Sequence, residues 1–123
     1  MKIHEYQAKE LLKKYRIPIQ DGVVCESENQ IESAINSVST QFNAKQFVIK
    51  AQIHAGGRGK GGGVKFCPTK DKAIEAAKAI LGMQLITHQT SEEGQKVQKI
   101  MVAEALDIAK EYYLAITLDR AKG

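Results

Sequence analysis

Apolar and polar residues recur along the chain in two periods, which predict helices and strands in turn. Between residues 4 and 15 the apolar positions follow helical spacing opposite three lysines, so an amphipathic helix is expected. A second helix is predicted after the capping-box pair Ser27 and Gln30. A third opens at residues 68–69 and closes at Gly82.

Strand-like runs separate and follow these helices. Residues 83–99 show no clear period beyond a turn at Glu93-Gly94, and no internal repeat occurs. The order of elements predicts an α+β fold in which helices and strands alternate. The expected strands are residues 23–25, 46–53, 64–67, 99–105 and 111–119.

A glycine-rich loop carries the strongest functional signal. Six of the ten glycines fall between Gly56 and Gly63, with Arg58 and Lys60 among them. Because glycine has no Cβ and adopts positive φ, successive backbone N–H groups of such a loop can converge on one anion. The two cations suit phosphate, and the preceding strand adds Lys50. We therefore predict a site for nucleoside triphosphate; the alternative is a flexible basic hairpin.

The loop contains a formal Gly-x-Gly-x-x-Gly match at Gly57, Gly59 and Gly62, but its context differs from that of a dinucleotide site. A dinucleotide fingerprint opens a helix, whereas residues 64–67 continue as a strand. No Gly-Lys-Ser or Gly-Lys-Thr ending follows, which excludes a P-loop. The phosphates are therefore expected beneath a hairpin rather than at a helix N-terminus.

Composition and charge narrow the classes of partner. The 123 residues, 43% of them hydrophobic, suffice for one compact unit or little more. Aromatic residues make up 6% of the chain and tryptophan is absent, which disfavours a surface that reads nucleic-acid sequence. The net charge of +4 is spread along the chain apart from the loop, so an anionic small ligand is favoured and no nucleic-acid partner is expected.

Cysteine usage and the absence of targeting signals suggest a compartment. Cys25 and Cys67 lie in strand-like runs without metal-ligand spacing, so we expect buried free thiols in a reducing environment. No apolar stretch approaches the length of a membrane span, and the first residues resemble neither a signal peptide nor a presequence. We predict a cytoplasmic protein with no membrane partner.

Three motifs together resemble one family. They are His4-Glu5-Tyr6-Gln7-Ala8-Lys9, residues 48–60 and Asp107-Ile108-Ala109-Lys110-Glu111, and in this order they are similar to the β subunit of succinyl-CoA synthetase. The similarity runs from residue 1 to residue 123 without a large gap. Since β subunits of this family are much longer, the chain resembles their N-terminal portion, either as a truncated chain or as a natural fragment.

The resemblance implies an ATP-grasp fold, in which two α+β lobes close on a nucleotide. Residues 1–20 would then be a helix of the second lobe, and residues 21–102 the small lobe that covers the nucleotide. Residues 103–123 would form the hinge and the first strand of the incomplete second lobe. The sheet would be mixed or antiparallel, with helices on one face.

The same resemblance implies a role for particular residues around the phosphates. Lys50 would reach the phosphates from its strand. Gly57, Arg58 and Gly59 would cover them with backbone N–H groups and the guanidinium. Glu111 would accept hydrogen bonds from the ribose hydroxyls, a task suited to an ionised carboxylate.

The base would be read by a hinge at residues 102–106, which includes Ala103 and Leu106, and by Gln20 at the entry to the small lobe. A glutamine amide can donate to guanine O6, so GTP would be accepted at least comparably with ATP. The family often has a glutamate where this chain has Ala103, with Glu104 one residue later. Because a shift of one residue in a strand reverses the face, Glu104 is not expected to replace it.

The reaction implied by the resemblance is succinate + CoA + nucleoside triphosphate ⇌ succinyl-CoA + nucleoside diphosphate + phosphate, in the tricarboxylic acid cycle. The phosphohistidine lies on an α subunit that also binds CoA, so neither His4 nor His54 is expected to be a nucleophile. Mg²⁺ would accompany ATP or GTP with ligands downstream of residue 123, which leaves no catalytic residue and no metal site in this chain. The alternatives are a non-catalytic module that binds nucleotide or polyanion, and a related ligase such as malate–CoA ligase.

Overall fold

The computed structural model describes residues 2–118 and Ala121. The end of the last expected strand at residue 119, and the chain end at residues 120, 122 and 123, lie outside the described residues. The helices are α1 (Glu5–Lys14), α2 (Ile31–Gln41) and α3 (Lys70–Ile80), with a 3₁₀ turn at Glu28–Gln30 before α2. The strands are β1 (Gly22–Cys25), β2 (Phe47–Ala51), β3 (Val64–Cys67), β4 (Gln84–Leu85), β5 (Gln95–Lys96) and β6 (Ile100–Glu104).

Four strands form one antiparallel sheet in the order β1-β6-β2-β3. The last strand of the sheet in sequence, β6, lies in its interior and pairs with β1 on one side and β2 on the other. Met101 therefore lies opposite Val24 and also opposite Lys50. This arrangement confirms the α+β fold with an antiparallel sheet.

Helices α2 and α3 cover one face of the sheet and enclose the core. Burial alternates along β2, so its odd-numbered residues face these helices while Val48 and Lys50 point to the other face. This packing confirms the expected placement of helices on one face. The largest core side chains include Phe47, Ile31, Ile35, Ile49, Ile80 and Val102.

Helix α1 lies apart from this core. It forms where the sequence predicts it, and the Gln7 side-chain oxygen accepts a hydrogen bond from His4 N–H at 2.8 Å at its start. No residue of α1 is buried, and Leu11, Leu12 and Tyr15 of its apolar face are exposed. Tyr6 and Met101 line one small cavity, which places α1 over the sheet face opposite the core helices.

The expected capping box of α2 is replaced by another arrangement. The Ser27 hydroxyl contacts Asn29 instead of a backbone N–H, and the Gln30 side chain accepts from Glu26 N–H at 2.8 Å. A 3₁₀ turn at Glu28–Gln30 intervenes, so α2 begins at Ile31. By contrast, Thr69 caps α3 by accepting from Lys72 N–H, as its position before the helix predicts.

One strand expectation was wrong, and one hairpin was not predicted. Residues 111–118 form no strand; they are exposed, with Tyr113 and Ile116 more than nine-tenths exposed. A strand needs a neighbour to pair with its backbone, and the described residues supply none here. Residues 83–99 instead contain a short hairpin, β4 and β5, which the sequence pattern did not predict.

Both cysteines are free and buried, which confirms that expectation. Burial raises the pKa of the Cys25 thiol to about 11 and also raises the pKa of Cys67. Within residues 2–118, no helix is both long and apolar enough to cross a membrane.

Candidate phosphate-binding site

The glycine loop (residues 56–63) joins β2 to β3 and is held by its own backbone. Ala51 N–H donates to the carbonyl of Gly63 at 2.7 Å, and Gly63 N–H donates to the carbonyl of Arg58 at 2.7 Å. The N–H groups of Gly61 and Gly62 are used in two further turn hydrogen bonds. The loop therefore has a defined shape, unlike the flexible hairpin of the alternative interpretation.

Of the successive N–H groups at residues 57–60, which make no protein hydrogen bond in the described residues, three lie at a cavity. Within the described part of the chain, the amides of Gly57, Arg58 and Gly59 donate to no backbone or side-chain acceptor. All three residues line a cavity of about 640 Å³. Small-molecule sites commonly measure roughly 300–1,000 Å³. Adjacent free amides at such a cavity favour an anion.

Gly57 and Gly59 are glycines for different reasons. Gly57 has a φ of +73°, and a Cβ there would come within 2.6 Å of the His88 ring. A Cβ on Gly59 would have no atom within 4 Å. The fold itself therefore requires Gly57, whereas Gly59 leaves open space for a ligand.

Two residues that follow β4, His88 and Gln89, also contact the loop. The Gln89 side-chain oxygen accepts a hydrogen bond from Gly56 N–H at 2.6 Å, and Gln89 lines the same cavity. His88 packs against Gly57. Neither residue is recognisable from the sequence, because a contact across 33 positions leaves no periodic signal.

Lys50 lies on β2 with its side chain on the face away from the core helices. Its ammonium donates to the Gln20 side-chain oxygen at 2.6 Å and lies 3.2 Å from one oxygen of Glu5. An ammonium has three hydrogens, so two are directed at protein acceptors and one remains for a ligand.

Glu5 is the centre of a cationic cluster that the sequence did not reveal. One carboxylate oxygen lies 3.1 Å from Lys9 and 3.2 Å from Lys50, and the other lies 2.7 Å from Arg58. Burial alone would raise the pKa of Glu5. The Arg58 hydrogen bond and the charges of Lys50 and Lys9 outweigh it and lower the pKa to about 2. Glu5 is therefore a stable anion.

The Arg58 guanidinium turns back toward the protein rather than outward. One nitrogen donates to the Ala51 carbonyl at 2.5 Å and another to Glu5 at 2.7 Å. Arg58 therefore joins the loop to β2 and to α1. Its backbone N–H is free, while its guanidinium is partly used by the protein.

Gln20 connects Lys50 to the end of β6. Its side-chain oxygen accepts from Lys50, and its nitrogen donates to the carbonyl of Glu104 at 2.7 Å. Lys9 lies 3.5 Å from the same oxygen. The structure thus brings Gln20 into direct contact with Lys50.

Comparison with known proteins identifies the family. The chain matches the family model of the ATP-grasp domain over residues 2–123. The chain belongs to the ATP-grasp family.

Curated relatives agree with the resemblance seen in the sequence. The chain is 52% identical over 120 residues to the β subunit of ADP-forming succinate–CoA ligase from Salinibacter ruber, and 55% identical over 121 residues to that of Leptospira biflexa. Each alignment covers 98% of this chain and 31% of the relative. The corresponding Ehrlichia ruminantium subunit is 50% identical over 123 residues, with 100% of this chain and 31% of the relative covered. The chain thus spans about a third of the length of these relatives.

In this ATP-grasp chain, the expected hinge begins inside the sheet. Ala103 lies opposite Gly22 on one side and Val48 on the other, so its backbone groups are used in hydrogen bonds within the sheet. The N–H of Ala105 donates to Gln46 at 3.0 Å, and the carbonyl of Glu104 accepts from Gln20. Backbone groups of the expected hinge that the sheet and Gln20 do not use therefore lie at its end, near Leu106.

Glu104 and Ala103 face opposite sides of the sheet. Glu104 lies opposite the buried Phe47, on the side of the core helices, whereas Ala103 lies opposite Val48 on the side of Lys50. Glu104 therefore cannot replace a glutamate at position 103, which agrees with the alternation predicted from the sequence.

Two of the expected ATP-grasp contacts are not assembled in the structure. Leu106 is half-exposed, and Glu111 lies in the exposed segment beyond β6. Neither residue lines the cavity beside the glycine loop.

The histidines and acidic residues provide no metal centre in the described residues. His4 and His54 stack with ring centroids 3.9 Å apart at the base of the loop. Burial, followed by the neighbouring His54, lowers the pKa of His4. No group of three His, Cys, Asp or Glu side chains within residues 2–118 has the arrangement of a metal site. The residues present therefore do not fit a resident Mg²⁺.

Proposed function

We propose that the chain is the nucleotide-binding portion of a succinate–CoA ligase β subunit. The complete enzyme would interconvert succinate, CoA and nucleoside triphosphate with succinyl-CoA, nucleoside diphosphate and phosphate. The observation that carries the proposal is the row of three free amides at Gly57, Arg58 and Gly59, which lies beside the Glu5–Lys50–Arg58 cluster. The names of the similar proteins support the choice of reaction.

The proposed contribution of these residues is binding and electrostatic stabilisation. The free amides bind phosphate oxygens, and Lys50 offers its remaining hydrogen to the same phosphates. Cations beside the transferring phosphoryl group stabilise the charge that develops on its oxygens. Mg²⁺ would arrive with the nucleotide and neutralise part of its charge, with ligands from outside this chain.

The nucleoside would extend from the phosphates toward the end of β6. We assign Gln20, Leu106 and Glu111 to contacts with the base and ribose, with Ala103 at the base of the hinge. Because Leu106 and Glu111 are exposed in the structure, both would need a second lobe to close over the nucleotide. We accordingly assign residues 1–20 and 103–123 to that lobe and residues 21–102 to the small lobe.

The proposed partners follow from the same reaction. An α subunit would bind CoA and carry the phosphorylated histidine, as the resemblance to the family implies. We propose ATP/ADP or GTP/GDP as nucleotides and the cytoplasm as compartment.

The test uses the full-length protein that contains this chain, co-purified with its α subunit. Formation of succinyl-CoA that depends on succinate, CoA and nucleoside triphosphate is expected. Activity with malate and not succinate would assign the chain to malate–CoA ligase. Nucleotide binding without any acyl-CoA formation would instead indicate a non-catalytic nucleotide-binding module.

A further inference from the structure

The carboxylate of Glu5 lies where an external anion would meet the cations beside the glycine loop. Its two oxygens contact Lys9, Lys50 and Arg58 at 3.1, 3.2 and 2.7 Å. Glu5 and Arg58 also line the cavity that contains the three free amides. The side chains of Glu5, Lys50 and Arg58 are each about one-fifth exposed, so water screens these charges only in part.

A phosphate would compete with this carboxylate for the same donors. Carboxylate and phosphate oxygens both accept hydrogen bonds from ammonium and guanidinium groups, and the stronger contacts are charge-assisted. Three cations and one carboxylate give the cluster a net charge of +2. A triphosphate carries more negative charge than one carboxylate, so it is the stronger competitor for Lys50 and Arg58.

The same carboxylate is a main attachment of helix α1. Glu5 is the first residue of α1, and no residue of that helix is buried. Other polar links join Tyr6 N–H to the buried Gln52 at 3.2 Å, Lys9 to Gln20 at 3.5 Å, and Lys13 to Asp21. Loss of the Glu5 contacts would therefore weaken the attachment of α1 to the sheet.

We propose that Glu5 is an internal anion of the phosphate site, which the phosphates of a nucleotide displace from Lys50 and Arg58. Displacement releases the start of α1 from the glycine loop, so nucleotide binding and the position of α1 are coupled. The inference rests on the proposed nucleotide site and adds to it a competing group and a moving element.

The first test measures affinity for inorganic tripolyphosphate and for ATP in the full-length protein, by calorimetry at low salt. Glu5→Gln removes the competing charge at nearly constant shape and is expected to bind tripolyphosphate about tenfold more tightly. Glu10→Gln is the matched control, since it removes the same charge from an exposed position of the same helix and should change affinity little.

The second test needs no substitution and therefore does not depend on the variant folding. Hydrogen exchange of the amides in Glu5–Lys14 is measured with and without ATP. Faster exchange of this segment on ATP binding is expected, while the glycine loop becomes protected.

The two proposals fail in distinguishable ways. If the unaltered protein binds ATP but Glu5→Gln binds tripolyphosphate equally or more weakly, the displacement of Glu5 is wrong and the nucleotide site stands. Protection of α1 by ATP would overturn the displacement in the same way. If the unaltered protein binds neither ATP nor tripolyphosphate, the nucleotide site and the role of Glu5 are both wrong.

Discussion

The side-chain nitrogen of Gln20 lies 2.7 Å from the carbonyl oxygen of Glu104 and donates a hydrogen bond to it. The oxygen of the same amide is held by Lys50 at 2.6 Å. These two contacts fix which end of the amide faces which neighbour. One amide hydrogen is left for a ligand, so in this arrangement Gln20 offers a base a donor rather than an acceptor.

This orientation gives a prediction about purine choice. We expect the full-length enzyme to use GTP at least comparably with ATP, because guanine O6 accepts the hydrogen that Gln20 offers. Gln20→Pro should shift the ratio toward ATP, and Gln20→Leu, which leaves the backbone free, should do the same. Turnover of the two nucleotides in competition measures the ratio. A strong preference for ATP in all three proteins would contradict the prediction.

Lys50 is expected to act mainly on phosphoryl transfer. In the full-length enzyme, Lys50→Ala should lower kcat by about ten- to a hundredfold, since a hydrogen bond from a charged group contributes roughly 1.5–3 kcal/mol. Lys65→Ala is the control, because Lys65 is an exposed lysine on the neighbouring strand. Steady-state kinetics of both variants provide the measurement. Equal loss in the two variants would show that Lys50 has no special role.

Gly57 and Gly59 should respond differently to an added methyl group. Gly57→Ala should destabilise the fold, because its φ is +73° and the Cβ would meet the His88 ring. Gly59→Ala should leave the melting temperature unchanged and weaken ATP binding by about tenfold, because its Cβ would enter the space beside the free amides. Thermal unfolding and ATP titration of each variant measure the two effects. Unchanged ATP affinity in a folded Gly59→Ala protein would argue against phosphate at this part of the loop.

Glu5 should make stability depend on pH in the acid range. Its pKa falls from the ordinary value of 4.5 to about 2 on folding, so the unfolded state takes up the proton first. The stabilisation is complete above about pH 4.5 and is lost as pH falls toward about 2. The free energy of unfolding, measured with urea at a series of pH values, should therefore depend less steeply on pH for Glu5→Gln than for the unaltered protein. The exposed-site variant Glu10→Gln should retain the steeper pH dependence. The same pH dependence in all three proteins would disprove the pairing of Glu5 with the cations.

The spacing of apolar residues predicted most of the fold, because the spacing within each core helix or strand matches the period of that element. The face of α2 and the alternation in β2 are examples. The pattern at residues 111–119 is just as regular, yet residues 111–118 form no strand. A strand depends on hydrogen bonds to a neighbour, and a period of two in the sequence cannot show whether that neighbour exists.

The candidate site was predictable in its loop and not in its ion pairs. The glycines and Lys50 are adjacent in sequence, so their chemistry can be read directly. Glu5 reaches Arg58 across 53 positions. Locally it shows only a pair with Lys9 at i and i+4, which is common on helix surfaces. Its role as the shared partner of three cations emerges only when α1 is placed against the sheet.

The interior position of β6 has a consequence for how the protein acquires its structure during synthesis. Within the sheet, β1 and β2 do not pair with each other, and β1 is joined to the sheet only through β6. A nascent chain that ends before Ile100 can form the β2–β3 hairpin and individual helices, but β1 has no partner. The glycine loop can thus fold before β6 is synthesised. Lys50, Gln20 and Glu104 are brought together only after β6 has left the ribosome.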